Sequence, residues 1–109
     1  MAYVESDDGA RGTVESALDA TGASIVRISG EIDMSNAELL GQSLEQIVGA
    51  ARGPLVVDLA ALQFMDSSGI AILLRAAARV DSIEVRNPSS TVRRIIECTG
   101  LTEVLHLGS

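Results

Sequence analysis

Asp66, Ser67 and Ser68 stand together in the stretch Phe64-Met65-Asp66-Ser67-Ser68-Gly69, a short polar step between two apolar segments. Upstream, Leu55-Val56-Val57-Asp58-Leu59 is a β-branched run of the buried-strand type. Downstream, Ile70 to Ala78 is apolar apart from Arg75, which predicts a helix. The polar step therefore falls on a loop that opens a helix. The first turn of a helix carries unpaired N–H groups and partial positive charge, which favours a capping Asp or Ser and equally an attached phosphate. Asp66 or Ser67 as a cap and Ser67 as a phosphoacceptor are both open on this chemistry alone.

Other reactive side chains offer less. Cys98 is the only cysteine, so an internal disulfide is excluded, and a lone cysteine usually acts as a small hydrophobe. Its place off the stripe formed by Val92, Ile95 and Ile96 predicts a half-exposed thiol. One Cys and one His, His106, do not make a structural zinc set, and the carboxylates show no metal-loop spacing, so no metal or cofactor is expected. A serine hydrolase would have to bring His106 to Ser67 without a Gly-x-Ser-x-Gly elbow, so no enzymatic activity is expected. The net charge of −7, with scattered arginines, argues against nucleic acid and suits a protein-directed surface.

The elements that must position Ser67 follow from pattern and punctuation. At 109 residues the chain is long enough for one domain with its own core. It is 47% hydrophobic but only 2% aromatic, so that core relies on many close contacts among Val, Ile, Leu and Ala. Residues 1–12 are expected to be a flexible arm or edge strand, and 13–109 the domain. Thr13–Ala20 and Ala23–Ser29 flank Thr21-Gly22 as a hairpin, with Val26 and Ile28 on one face and Ile25 and Arg27 on the other. Ser35-Asn36-Ala37-Glu38 has capping-box spacing, and Ala37, Leu40, Leu44, Ile47 and Val48 form one helical stripe over about 36–50. After Gly53-Pro54 come a strand over 55–59, the Asp66 loop, and a helix from Ser67 or Ser68 to Val80 that packs on the sheet and lends small side chains to a neighbour. A strand over 83–86, a turn and cap at Asn87-Pro88-Ser89, a helix ending at Gly100 and a strand over 103–107 complete the chain. This alternation predicts an α/β layer, a mixed sheet with an N-terminal hairpin and about three helices packed on it.

In their order along the chain, four segments resemble the STAS domains of stand-alone bacterial anti-sigma factor antagonists. They are Gly30-Glu31-Ile32-Asp33, the run from Val56 through Phe64-Met65-Asp66-Ser67-Ser68-Gly69, Asn87-Pro88-Ser89 and Thr99-Gly100-Leu101, together covering about Ile25 to Leu107. The resemblance implies the STAS fold and makes Ser67 the phosphoacceptor. It also implies a partner surface made by Glu31, Asp33, Asp66, Ser68, Gly69 and Ile70. It further implies a binding protein without catalysis that, unphosphorylated, holds an anti-sigma factor of serine-kinase type and frees a sigma factor. Phosphorylation of Ser67 would switch that binding off, and a phosphatase would restore it. The alternative is a STAS accessory subunit of a lipid-transport ATPase complex, docking without a phosphorylation cycle. No apolar run is long enough to span a membrane and the N-terminus lacks a signal-peptide pattern, so a cytoplasmic location is expected.

Overall fold

A computed structural model describes residues 4–9, 12–18, 23–50, 53–100 and 106–107. Along the chain run β1 (Val4–Gly9), β2 (Gly12–Leu18), β3 (Ser24–Ile32), α1 (Ala37–Ala50), β4 (Pro54–Asp58), β5 (Leu62–Met65), α2 (Ser67–Ala77), β6 (Ser82–Arg86), α3 (Ser90–Cys98) and β7 (His106–Leu107). The strands form one mixed sheet in the order β1-β2-β3-β4-β6-β7, with β5 pairing β3 off that path. β1, β2 and β3 are antiparallel, while β4, β5, β6 and β7 join by parallel pairing. The expected mixed sheet with helices packed on it is therefore present. Thr21-Gly22, residues 1–3 and Glu103–Leu105 lie outside the described residues.

One face of the sheet carries the core. Val26 and Ile28 on β3 meet Leu55 and Val57 on β4, and Ile83 and Val85 on β6, all of them buried. α1 adds Leu40, Leu44 and Val48, α2 adds Ile70, Ile72, Leu73 and Ala76, and α3 adds Val92 and Ile96. Each helix thus buries the apolar stripe its periodicity predicts. On the opposite face, Glu15, Arg27, Asp58 and Arg86 align across four neighbouring strands. Arg27 holds Glu15 there at 2.9 Å.

Gly30 explains how β3 serves two parallel neighbours. Its φ of +88° lies in the left-handed region, which favours glycine, and the β3–β5 register shifts between Gly30 and Glu31. Residues 24–27 of β3 pair with β4, and residues 30–32 pair with β5. A turn at Ala60-Ala61 carries the chain from β4 to β5, with Leu62 N donating to Leu59 O at 3.1 Å. The sequence pattern predicts a loop where β5 lies, so this strand is a correction. Two other boundaries also differ. α2 ends at Ala77 rather than Val80, with a tightened turn in which Arg79 N donates to Ala76 O at 3.0 Å.

The start of α1 is the second correction to local detail. Ser35 does not stand as the expected box: its hydroxyl donates to Asp33 Oδ1 at 2.5 Å and its amide donates to the same oxygen at 2.9 Å. α1 begins at Ala37, with Leu40 N donating to Asn36 O, one residue later than a Ser35 cap would place it. α3 follows expectation more closely. Ser89 Oγ accepts from Val92 N at 3.1 Å, and Gly100 closes the helix with φ +73°.

Candidate functional site

Parallel pairing brings the ends of β3 and β5 side by side, with Glu31 opposite Phe64 and Ile32 opposite Met65. Asp66 N then donates to Ile32 O at 3.1 Å, which ties the residue before Ser67 to the last residue of β3. Asp33 and Asp66 are therefore the first residues beyond two adjacent strand ends. In open α/β sheets this carboxyl edge is where ligands and partners are usually met.

Asp66 caps α2. Its carboxylate accepts from Ser68 N at 2.8 Å, and its backbone carbonyl accepts from Gly69 N at 3.0 Å and Ile70 N at 3.3 Å. Three donors of the first turn are thus already engaged by one residue. Ser67 is the first residue of α2 and is exposed, whereas Ser68 is half-buried. The cap and the exposed hydroxyl therefore fall on different residues, so both uses of the polar step are compatible in one structure. A phosphate on Ser67 would find the amides of residues 68–70 occupied and the Asp66 carboxylate beside it.

Gly69 and Ile70 face inward. A Cβ built on Gly69 would sit 2.8 Å from Met65 Cβ, so glycine is what lets α2 lie this close to β5. Ile70 is 5% exposed and belongs to the core. Neither of these two residues offers a side chain to solvent. Glu31, Asp33 and Asp66 are half-buried at the edge itself. Cys98 is exposed at the end of α3.

The sequence did not single out Asn36, which is 2% exposed and holds the loop after β3 in shape. Its amide nitrogen donates to Glu31 O at 2.8 Å, and its Oδ1 accepts from Asp33 N at 3.0 Å. The spacing of Asp33 and Asn36 three residues apart was the available signal, since Asx side chains commonly bond backbone this close in sequence. Met34 was also missed. It is 85% exposed between Asp33 and Ser35, an apolar side chain in a polar loop without a periodic partner. Together with Phe64, 43% exposed, it gives an otherwise acidic edge two apolar contact groups. Beside Ser68 a cleft of about 560 Å³ opens between α1 and α2.

This sheet, its partner-switching third strand and the capped serine at the carboxyl edge agree with the comparison to known families. A family model described as "Mlab, STAS domain" matches residues 16–107. The chain belongs to the STAS-domain family of anti-sigma factor antagonists. It is 32% identical over 94 residues to the anti-sigma-F factor antagonist RsfB of Mycobacterium tuberculosis, covering 84% of this chain and 77% of that protein. An anti-sigma F factor antagonist of Paenibacillus polymyxa is 27% identical over 89 residues, covering 77% and 76% respectively. Among solved structures, an anti-sigma factor antagonist from Mycobacterium paratuberculosis matches with a TM-score of 0.79 and 33% identity over 88% of this chain and 84% of that one. The unphosphorylated form of the anti-sigma factor antagonist SpoIIAA shares the fold, with a TM-score of 0.69 and 21% identity over 88% of each chain. Among the described residues, no helix is long and apolar enough to cross a membrane.

Proposed function

We propose that this protein is an anti-sigma factor antagonist that acts in the cytoplasm without catalysis of its own, using the edge formed by Glu31, Asp33, Asp66 and the start of α2. Unphosphorylated, it binds an anti-sigma factor of serine-kinase type and so releases a sigma factor. The kinase phosphorylates Ser67 and ends the binding, and a phosphatase returns the protein to the binding state. The observation that carries this reading is the exposed Ser67 hydroxyl at the first residue of α2, held against the end of β3 by the Asp66 amide.

The physical logic lies in where the new charge falls. Phosphorylation adds about −1.5 to −2 charge at pH 7. Within the protein that charge meets the half-buried Asp66 carboxylate, where two unit charges 4 Å apart interact by about 1 kcal/mol in water and about 4 kcal/mol near a protein surface, a repulsion the exposed phosphate relieves by turning toward solvent. Against a partner surface the same charge must be desolvated or must oppose a like charge, which costs several kcal/mol. In the free protein the phosphate can turn away into solvent, whereas a docked partner leaves it no such escape, so the modification bears on the complex more than on the fold.

The named relatives are sigma-factor regulators, which does not favour the lipid-transport accessory subunit. Mass spectrometry of the tryptic peptide Gly53–Arg75, from protein recovered from its own cells with and without stress, tests the switch. The expected result is phosphate on Ser67 that changes with condition. Its absence in every condition would remove the switch and leave Asp66-Ser67-Ser68 as a helix cap.

A further inference from the structure

The cleft between α1 and α2 begins at the proposed partner site but is not explained by the phosphorylation switch. Its walls are two facing helical stripes, with Glu38, Gly41 and Glu45 on α1 and Ser68, Ala71 and Arg75 on α2. Residues three, four and seven apart share a helix face, so each stripe runs for about two turns. The floor is fixed: a Cβ on Gly41 would lie 2.9 Å from Ile72 Cγ2 and 4.0 Å from Arg75 Nη2, so the two helices already touch beneath the cleft and the guanidinium reaches across toward Gly41. Met34, 85% exposed, lines the cleft with Ser68.

The charges of the cleft are unbalanced. Two carboxylates stand against one guanidinium, and among the described residues none of the three is held in an ion pair. A groove of this length between two helices fits the side of a third helix, which packs its ridges into such a furrow.

We infer that the α1–α2 cleft seats an amphipathic helix of the partner that directs Lys or Arg to Glu38 and Glu45 and an aliphatic side chain onto the Ala71 floor under Met34. This inference rests on the proposed anti-sigma factor partnership. It separates two jobs on one surface: Ser67 decides whether the partner binds, and the cleft decides which partner binds. Specificity of this kind is set by a charge match that a wrong partner fails.

The test is calorimetric titration of the unphosphorylated protein with each anti-sigma factor of serine-kinase type from the same genome. Wild type is compared with Glu38→Arg/Glu45→Arg, with the milder Glu38→Gln/Glu45→Gln, with Ala71→Trp and with Ser67→Glu, each checked for native circular dichroism. The charge-reversed variant and Ala71→Trp are expected to weaken binding by about tenfold or more, with the Gln pair intermediate. Wild-type affinity in the charge-reversed and Ala71→Trp variants, with binding lost in Ser67→Glu, would overturn the cleft and leave the proposed function standing. Failure of every anti-sigma factor to bind the wild type would overturn the proposed function and this inference with it.

Discussion

Replacing Gly69 by alanine lowers the stability of this domain, whereas the same replacement at Gly49 raises it. Both glycines lie within helices, α2 and α1 respectively, so both substitutions gain helix propensity of about 0.5–1 kcal/mol. At Gly49 nothing stands within 4 Å of the new methyl, and the gain is expressed, at about 0.5 kcal/mol so near the end of α1. At Gly69 the methyl would meet Met65 Cβ at 2.8 Å, Sδ at 3.1 Å and Cγ at 3.3 Å. Met65 is fully buried, and its Cβ is fixed by the β5 backbone, so rotation of the long side chain cannot relieve the nearest contact. Overpacking of this kind costs about 1–3 kcal/mol, which outweighs the propensity gain and leaves a net loss of about 1 kcal/mol. Urea denaturation followed by circular dichroism reads both values. In a thermal melt a change of 1 kcal/mol moves Tm by roughly 4 °C for a domain of this size. Stabilisation by Gly69→Ala equal to that by Gly49→Ala would refute the close β5–α2 contact on which the placement of Ser67 depends.

Other substitutions probe the edge from different sides. Asp66→Ala removes the carboxylate that accepts from Ser68 N at 2.8 Å and should cost about 1 kcal/mol in the same denaturation assay, with Ser89→Ala costing a similar amount at α3. Asn36→Ala leaves Glu31 O and Asp33 N without the partners seen here and should cost about 1–3 kcal/mol. It should also weaken anti-sigma factor binding by loosening the loop, which titration of the folded variant would show. Leu73→Ala, at a fully buried position of α2, should cost about 2–5 kcal/mol and serves as the scale for a core loss.

Much of the architecture was legible because its segments obey one period each. The Val26 and Ile28 face of β3, the Leu40-Leu44-Val48 stripe and the apolar body of α2 all bury as their spacing requires. β5 was not legible, since Leu62-Gln63-Phe64-Met65 buries its two ends and exposes its two middle residues, a pattern that alternation does not produce. Those four residues find a strand to pair with only in the last residues of β3, with Gln63 as the extra residue where the register shifts beside Gly30, and that is a long-range cause. The start of α1 misled for a local reason. Ser35 and Glu38 have the spacing of a box, but the Asp33 carboxylate accepts from both the Ser35 amide and the Ser35 hydroxyl and so takes the groups the box would use. At the site, the loop and its serines were evident from residue types. The division of labour between Asp66 as cap and Ser67 as exposed hydroxyl needed the hydrogen bonds, as did the inward turn of Gly69 and Ile70.

A charge on Ser67 is expected to break the complex without disturbing the fold. This is tested most directly by installing phosphoserine at position 67 during synthesis and titrating both forms against the anti-sigma factor that binds the unmodified protein. The expected result is an unchanged circular dichroism spectrum and a loss of affinity of about 100-fold or more, the equivalent of the several kcal/mol that misplaced interface charge costs. Equal affinity of the two forms would contradict it.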